Sequence, residues 1–158
     1  MKNNMMKKLL TLVLAGAMTL SLAACGAKDT PSADQPDNSA EEAKTYKVAV
    51  IKQLDHASLD EITNAVTAEL DKIAADNGVT IEYEVTSGQG DQTILKQLSD
   101  QAIADGVNAI IPIATTAAQI AALSAEETKT PVVYAAVSDP EAASLTGIDY
   151  VTGTSDAL

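Results

Sequence analysis

The chain has no phenylalanine and no tryptophan, and four tyrosines supply all of its 3% aromatic content. A ligand ring seeking a stacking partner here has only Tyr46, Tyr83, Tyr134 and Tyr150 to meet. There is one cysteine, so no disulfide can close within the chain. The single histidine is not joined by a cluster of metal ligands, so no metal is expected. No cofactor is expected either, and "SGQG" at 87–90 lacks the spacing of a phosphate loop. No serine or cysteine stands in a nucleophile elbow. Basic residues number ten against 22 acidic ones. Phosphate recognition needs clustered lysine or arginine, so nucleic acid is excluded as a partner. The acid excess reads as solubility.

The amino terminus is organised differently from the rest. Lys2, Lys7 and Lys8 precede an almost uncharged apolar run from Leu9 to Ala24, which stops at "LAAC". A basic start, a short apolar stretch and small residues before a cleavage point mark residues 1–24 as a secretory signal peptide. The run is shorter than the ~20 residues of a membrane span. Leu22-Ala23-Ala24-Cys25 resembles the bacterial lipoprotein box, which implies that Cys25 is lipidated and anchors the chain. Beyond it, seven lysines face all 22 acidic residues, a formal charge of −15. Residues 26–45 are rich in Pro, Ser, Asp and Glu without apolar periodicity. Such a segment cannot bury enough surface to offset its ordering entropy, and residues 25–45 are expected to be a lipidated cysteine with a disordered tether. As a flexible coil, twenty residues reach about 25 Å.

From residue 46 the pattern is regular. "YKVAVI" reads as a strand, and Leu59, Ile62, Val66, Leu70 and Ile73 recur at helical spacing before "DNG". Ser58 with Glu61 forms a capping-box signature for that helix. "VTIEYEV" alternates as a second strand, and Ile94, Leu95, Leu98 and Ala102 mark a second helix ending near Gly106, with Asp91 as its cap. "NAIIPIA" is a third strand, 116–126 a third helix, "PVVYAAV" a fourth strand and "LTGIDYV" a fifth. Pro112 cannot donate to a central ladder, which suggests a bulge. The rhythm predicts an α/β fold, a three-layer parallel sheet with helices on both faces.

Such sheets gather useful residues at the carboxyl ends of their strands. The loops there are "KQLDHAS", "SGQGD", "TT" and "SDPE", all polar. They supply Gln53, His56, Ser87, Thr115, Thr116, Ser138 and Asp139 as candidate ligand-binding residues. Thr116 and Gln119 also form a T-x-x-Q capping box, and Asp139-Pro140 has the form of a helix start. Hydroxyls and backbone N–H groups at a helix amino terminus suit a carboxylate, and Asp139 across the rim suits an ammonium group. Together these are the two ends of an amino acid.

"IKQLDHASLD", "GDQTILKQLSDQAIADGVNAIIPIATTAAQ", "PVVYAAVSDPEAASL" and "VTGTSD" resemble, block by block, the N-terminal half of ABC-transporter substrate-binding lipoproteins of the tryptophan/tyrosine type. The resemblance covers residues 46–156. It implies the N-terminal ligand-binding lobe of a type I periplasmic-binding-protein fold over residues 46–158, with the second lobe absent. It further implies an extracytoplasmic, lipid-anchored protein on the outer face of the membrane. Such a protein closes on a small ligand, an amino acid and by this subgroup an aromatic one, and hands it to ABC permease subunits. Ser87-Gly88 stands where the family often has Asn-Ala, and Ala57 where it often has Pro. A non-enzyme is implied. One rival is a surface lipoprotein that senses the ligand and signals to a receptor. The other is an enzyme pairing His56 with Asp55 or Asp139, which fold alone does not exclude.

Overall fold

The computed structural model describes residues 44–155; the expected signal peptide, Cys25 and the expected tether up to residue 43 lie outside the described residues. Eight elements follow in order: β1 (Thr45–Lys52), α1 (Ala57–Asn77), β2 (Thr80–Ser87), α2 (Gln92–Ala104), β3 (Ala109–Ile113), α3 (Thr115–Ser124), β4 (Val132–Tyr134) and β5 (Val151–Gly153). The strands form one parallel sheet in the order β2-β1-β3-β4-β5. The chain therefore winds one way from β1 to β2 and the other way from β3 onward. Its topological switch point lies between β1 and β3.

Alternation along β1 divides the core. Val48 and Val50 point to one face, where Leu59, Ile62, Val66 and Leu70 of α1 pack over them with Ile113. Ala49 and Ile51 point to the other, against Leu95 and Ala102 of α2 and Ala117 and Ala121 of α3. The period of 3.6 that singled out α1 in the sequence is thus the period of its half-buried, core-facing stripe, except that Ile73 at its end is 41% exposed. Gly78 ends α1 in the left-handed conformation, φ 63°, and its N–H bonds back to the carbonyls of Ala74 and Ala75. At the end of β2, Gly88 is required sterically: a Cβ there would lie 2.3 Å from Leu95 Cδ2 and 3.2 Å from the Gln53 carbonyl oxygen. On the α2 side, Lys47, Glu82, Glu84, Gln101 and Asp105 edge a cleft of about 320 Å³ with an apolar floor, away from the strand ends.

Several local expectations are corrected. Ser58 does not cap α1; His56 does, its Nδ1 accepting from the Ser58 N–H at 3.2 Å. Pro112 makes no bulge, because β3 stays in register with β1, Ile51 opposite Pro112. Its carbonyl faces β4 and accepts from Ala135 N at 3.0 Å, and the ladder resumes with Ala114 N donating to Ala135 O. The missing N–H interrupts pairing on that side alone, where β3 and β4 pair regularly only at Ile110 and Val132. The fifth strand is 151–153, sharing only Val151 with the expected 145–151. Helix α3 spans Thr115–Ser124, starting one residue earlier and ending two residues earlier than expected. Asp139-Pro140 opens a turn and no helix: Asp139 Oδ1 accepts from Ala142 N at 2.9 Å, and Leu145 N donates to Pro140 O.

Candidate functional site

All seven candidate residues lie at the carboxyl end of the sheet. Gln53 follows β1 directly, His56 caps α1, and Ser87 is the last residue of β2. Thr115 and Thr116 open α3, and Ser138 and Asp139 lie in the loop after β4. Parallel strands end on one side of the sheet, so four sequence-distant loops become one rim.

The bonds within that rim join three of its loops. Gln53 Oε1 accepts from the Thr116 N–H at 3.2 Å, bridging 63 residues of sequence at the switch point. The Gln53 N–H donates to Ile113 O at 3.1 Å, and its carbonyl accepts from Gly90 N at 2.9 Å. Helix α3 therefore takes its cap from another strand. Its own N-cap residue, Ala114, makes no side-chain cap bond, so Thr116 is not the cap that the T-x-x-Q signature suggests. Gln119 instead donates from Nε2 to Ala143 O at 3.1 Å, tying the fourth loop to α3.

Ala114 stands at φ 80°, ψ 162°, a region that residues with a Cβ seldom enter. The surrounding ladder holds it there through Ala114 N to Ala135 O and Ala118 N to Ala114 O, both 3.0 Å. This strained step turns the chain sharply from β3 into α3. It leaves Thr115, Thr116 and Ala117 with N–H groups ahead of the first intrahelical bond. Gln53 takes one of the three, so the helix end is only partly open, contrary to the expectation that its N–H groups are unused. The Gln53 amide NH₂ has no protein acceptor among the described residues.

His56 is exposed, and its Nδ1 is used as the α1 cap, while Nε2 has no partner among the described residues. Ser87 is half-buried and its Oγ accepts from Gln89 N at 3.3 Å. Asp139 and Ser138 are exposed, and the Asp139 carboxylate is engaged by its own turn. No bond joins Asp139 to Thr115 or Thr116 among the described residues. The charge pattern expected across the rim is thus present in place but not in contact.

Sequence reasoning missed Lys52. Its side chain is 14% exposed and its ammonium pairs with Asp55 at 3.0 Å and with Asp60. The Asp60 and Asp55 carboxylates hold that ammonium above its ordinary value, and Lys52, with Ser87 behind it, holds the Asp55 carboxyl below its own. A lysine ending the apolar run Val48–Ile51, with carboxylates three and eight residues on, was the available signal.

Residues 47–158 match the family model described as ABC transporter substrate binding protein. The chain is 26% identical over 158 residues to a tyrosine-binding protein of Clostridioides difficile, covering 96% of this chain and 45% of that one. A Streptococcus pneumoniae ABC domain solved in complex with L-Trp aligns at TM-score 0.61 and 30% identity, over 72% of this chain and 39% of that one. A ligand-free, open substrate-binding protein with adhesive properties from Clostridium difficile aligns at TM-score 0.64 and 26% identity, again over 72% and 39%. A branched-chain amino acid binding protein in complex with isoleucine, 17% identical at TM-score 0.60, shares the fold. The chain spans less than half the length of these relatives. Its five-stranded parallel sheet with helices on both faces is the lobe of a type I periplasmic binding protein. With 47–158 matched and the sheet order and rim in place, the chain belongs to the ABC transporter substrate binding protein family.

Proposed function

We propose that this chain is the amino acid head-group lobe of an extracytoplasmic binding protein that feeds an ABC permease, anchored through a lipid on Cys25. The observation that carries the reading is the half-open amino terminus of α3 at the switch point. There the N–H group of Thr115, two threonine hydroxyls and the Gln53 amide NH₂ stand at a positive helix end. A ligand carboxylate fits these donors. Ser138 and Asp139 stand on the rim at the next loop and are assigned to the ligand ammonium, while His56 and Ser87 border the other side.

The tyrosines divide the labour further. Tyr134 is buried, Tyr83 bonds Asp71 at 3.0 Å, and Tyr150 bonds Ala122 O under the Lys129 ammonium. Tyr46 opens β1 at the opposite end of the sheet. With no aromatic side chain on the rim among the described residues, this lobe selects the head group and leaves the ligand side chain to other contacts. Relatives that bind tyrosine and L-Trp make an aromatic amino acid the first ligand to try.

The test is amide chemical-shift mapping during titration with L-tyrosine, L-tryptophan and L-isoleucine. Shifts confined to residues 53–56, 114–117 and 138–140, and lost in the Thr115→Ala, Thr116→Ala double variant, are the expected result. Shifts centred on the opposite end of the sheet, or none with any of the three, refute the assignment.

A further inference from the structure

We infer that Lys52 is a positioning residue that holds the β1–α1 loop in the geometry the rim requires. The inference rests on reading the rim as the ligand site. Side-chain alternation places Lys52 on the α1 face, in the row of Val48 and Val50, both nearly fully buried. An apolar residue would continue that row. The lysine instead lays its stem over the sheet and brings its ammonium up under the loop, where Asp55 meets it at 3.0 Å and Asp60, in the first turn of α1, meets it as well.

What these pairs hold is not held otherwise. Gly88 N to Lys52 O and Gly90 N to Gln53 O, each 2.9 Å, tie the β2–α2 loop to the end of β1 through the backbone. Between Gln53 and the first turn of α1, by contrast, the bonds among the described residues apart from the Lys52–Asp55 pair are those of the His56 carbonyl and the His56 ring, both to residues of α1 itself. Leu54 and Asp55 have no backbone bond to the sheet among the described residues. Lys52 supplies that link through Asp55. Since successive residues face opposite sides, Gln53 performs the matching task for α3. Two adjacent residues at the end of β1 thereby organise three of the four rim loops. The bland alternative is a pair of half-exposed ion pairs that hold nothing in particular, since such pairs contribute little when isolated.

Amide hydrogen exchange on the full chain without ligand separates the two. In Lys52→Met, exchange at Ser58 and Asp60 should rise about fivefold while the amides of α2 and α3 stay unchanged. Lys52→Arg should retain most of the protection. Adding Lys52→Met to an Asp55→Asn, Asp60→Asn background should change little more, because the partners are already gone. No change at Ser58 and Asp60, or a uniform rise across the sheet, overturns the inference. A titration with L-tyrosine runs alongside. Wild-type binding weakened in Lys52→Met supports the link to the site, whereas the exchange effect with no binding in wild type faults the ligand reading and leaves the loop tie standing.

Discussion

The two faces of the sheet are covered by different means. On one, α2 and α3 lie side by side over Ile51, Ile110 and Val132, all at most 2% exposed, and α3 turns Ala117, Ala118, Ala121 and Ala122 inward. Small side chains bring that helix close to the strands, while towards β2 the same face opens into the cleft of about 320 Å³ edged by Glu82 and Glu84. On the other, the single long α1 packs over Val48, Val50 and Ile113 of β1 and β3 and over Ile81 and Tyr83 of β2. Beside it, Ile62, Val66, Ala135 and Thr154 line an open cavity of about 440 Å³, and Val133 of β4 is 38% exposed. Each face is therefore core for part of its width, and the part under α2 and α3 is the more closely covered. The same kind of substitution should have unequal effects on the two.

Leu95→Ala should break the comparison most. It empties a site 1% exposed at the start of α2, and a cost of about 3 kcal/mol in urea-unfolding free energy is expected. A loss no larger than that of a surface substitution would show that the α2–α3 face is not tightly packed.

The caps sharpen the contrast at the next level. Helix α2 starts on a carboxylate, Asp91, which accepts from Thr93 N at 2.6 Å and Ile94 N at 3.2 Å, whereas α1 starts on the His56 ring. Those two N–H bonds hold the Asp91 carboxyl below its ordinary value. A carboxyl lowered in the folded state contributes stability above its unfolded value and loses it as pH falls through the folded one. Asp91→Ala should therefore lower the thermal midpoint at pH 7, and the gap to wild type should close as the solution is acidified below the ordinary aspartate range. A gap independent of pH would mean that the variant acts by some route other than the charge.

Val133→Thr is the mildest. On the half-open face it should stay within about 0.5 kcal/mol of wild type in the same urea assay. A cost approaching that of Leu95→Ala would mean that this part of the sheet is covered in solution.

Legibility followed the range of the interaction. The helix over residues 57–77 was visible because its apolar period, its Asn-Gly stop and its burial all arise from one segment. The cap on α2 was visible for the same reason, Asp91 reaching only two and three residues on. The cap on α3 was not: the local T-x-x-Q pattern pointed to Thr116, but Gln53 arrives from 63 residues away and Gln119 is drawn to Ala143. The fifth strand was misplaced because Leu145 is buried by the turn after Asp139, so its apolar character reports loop packing instead of pairing.

The sequence by itself determined the α/β order, the parallel sheet and the four polar loops at the carboxyl ends of the strands. These follow from hydrophobic period and turn chemistry, which act over a few residues. Only the tertiary structure decided which atoms of those loops remain open to a ligand. Lys52 and Gln53 point to opposite faces of one strand, and their partners depend on which helix each face receives. A side chain's free donors are what remains after its long-range bonds are made, and those bonds exist only once the strands stand side by side.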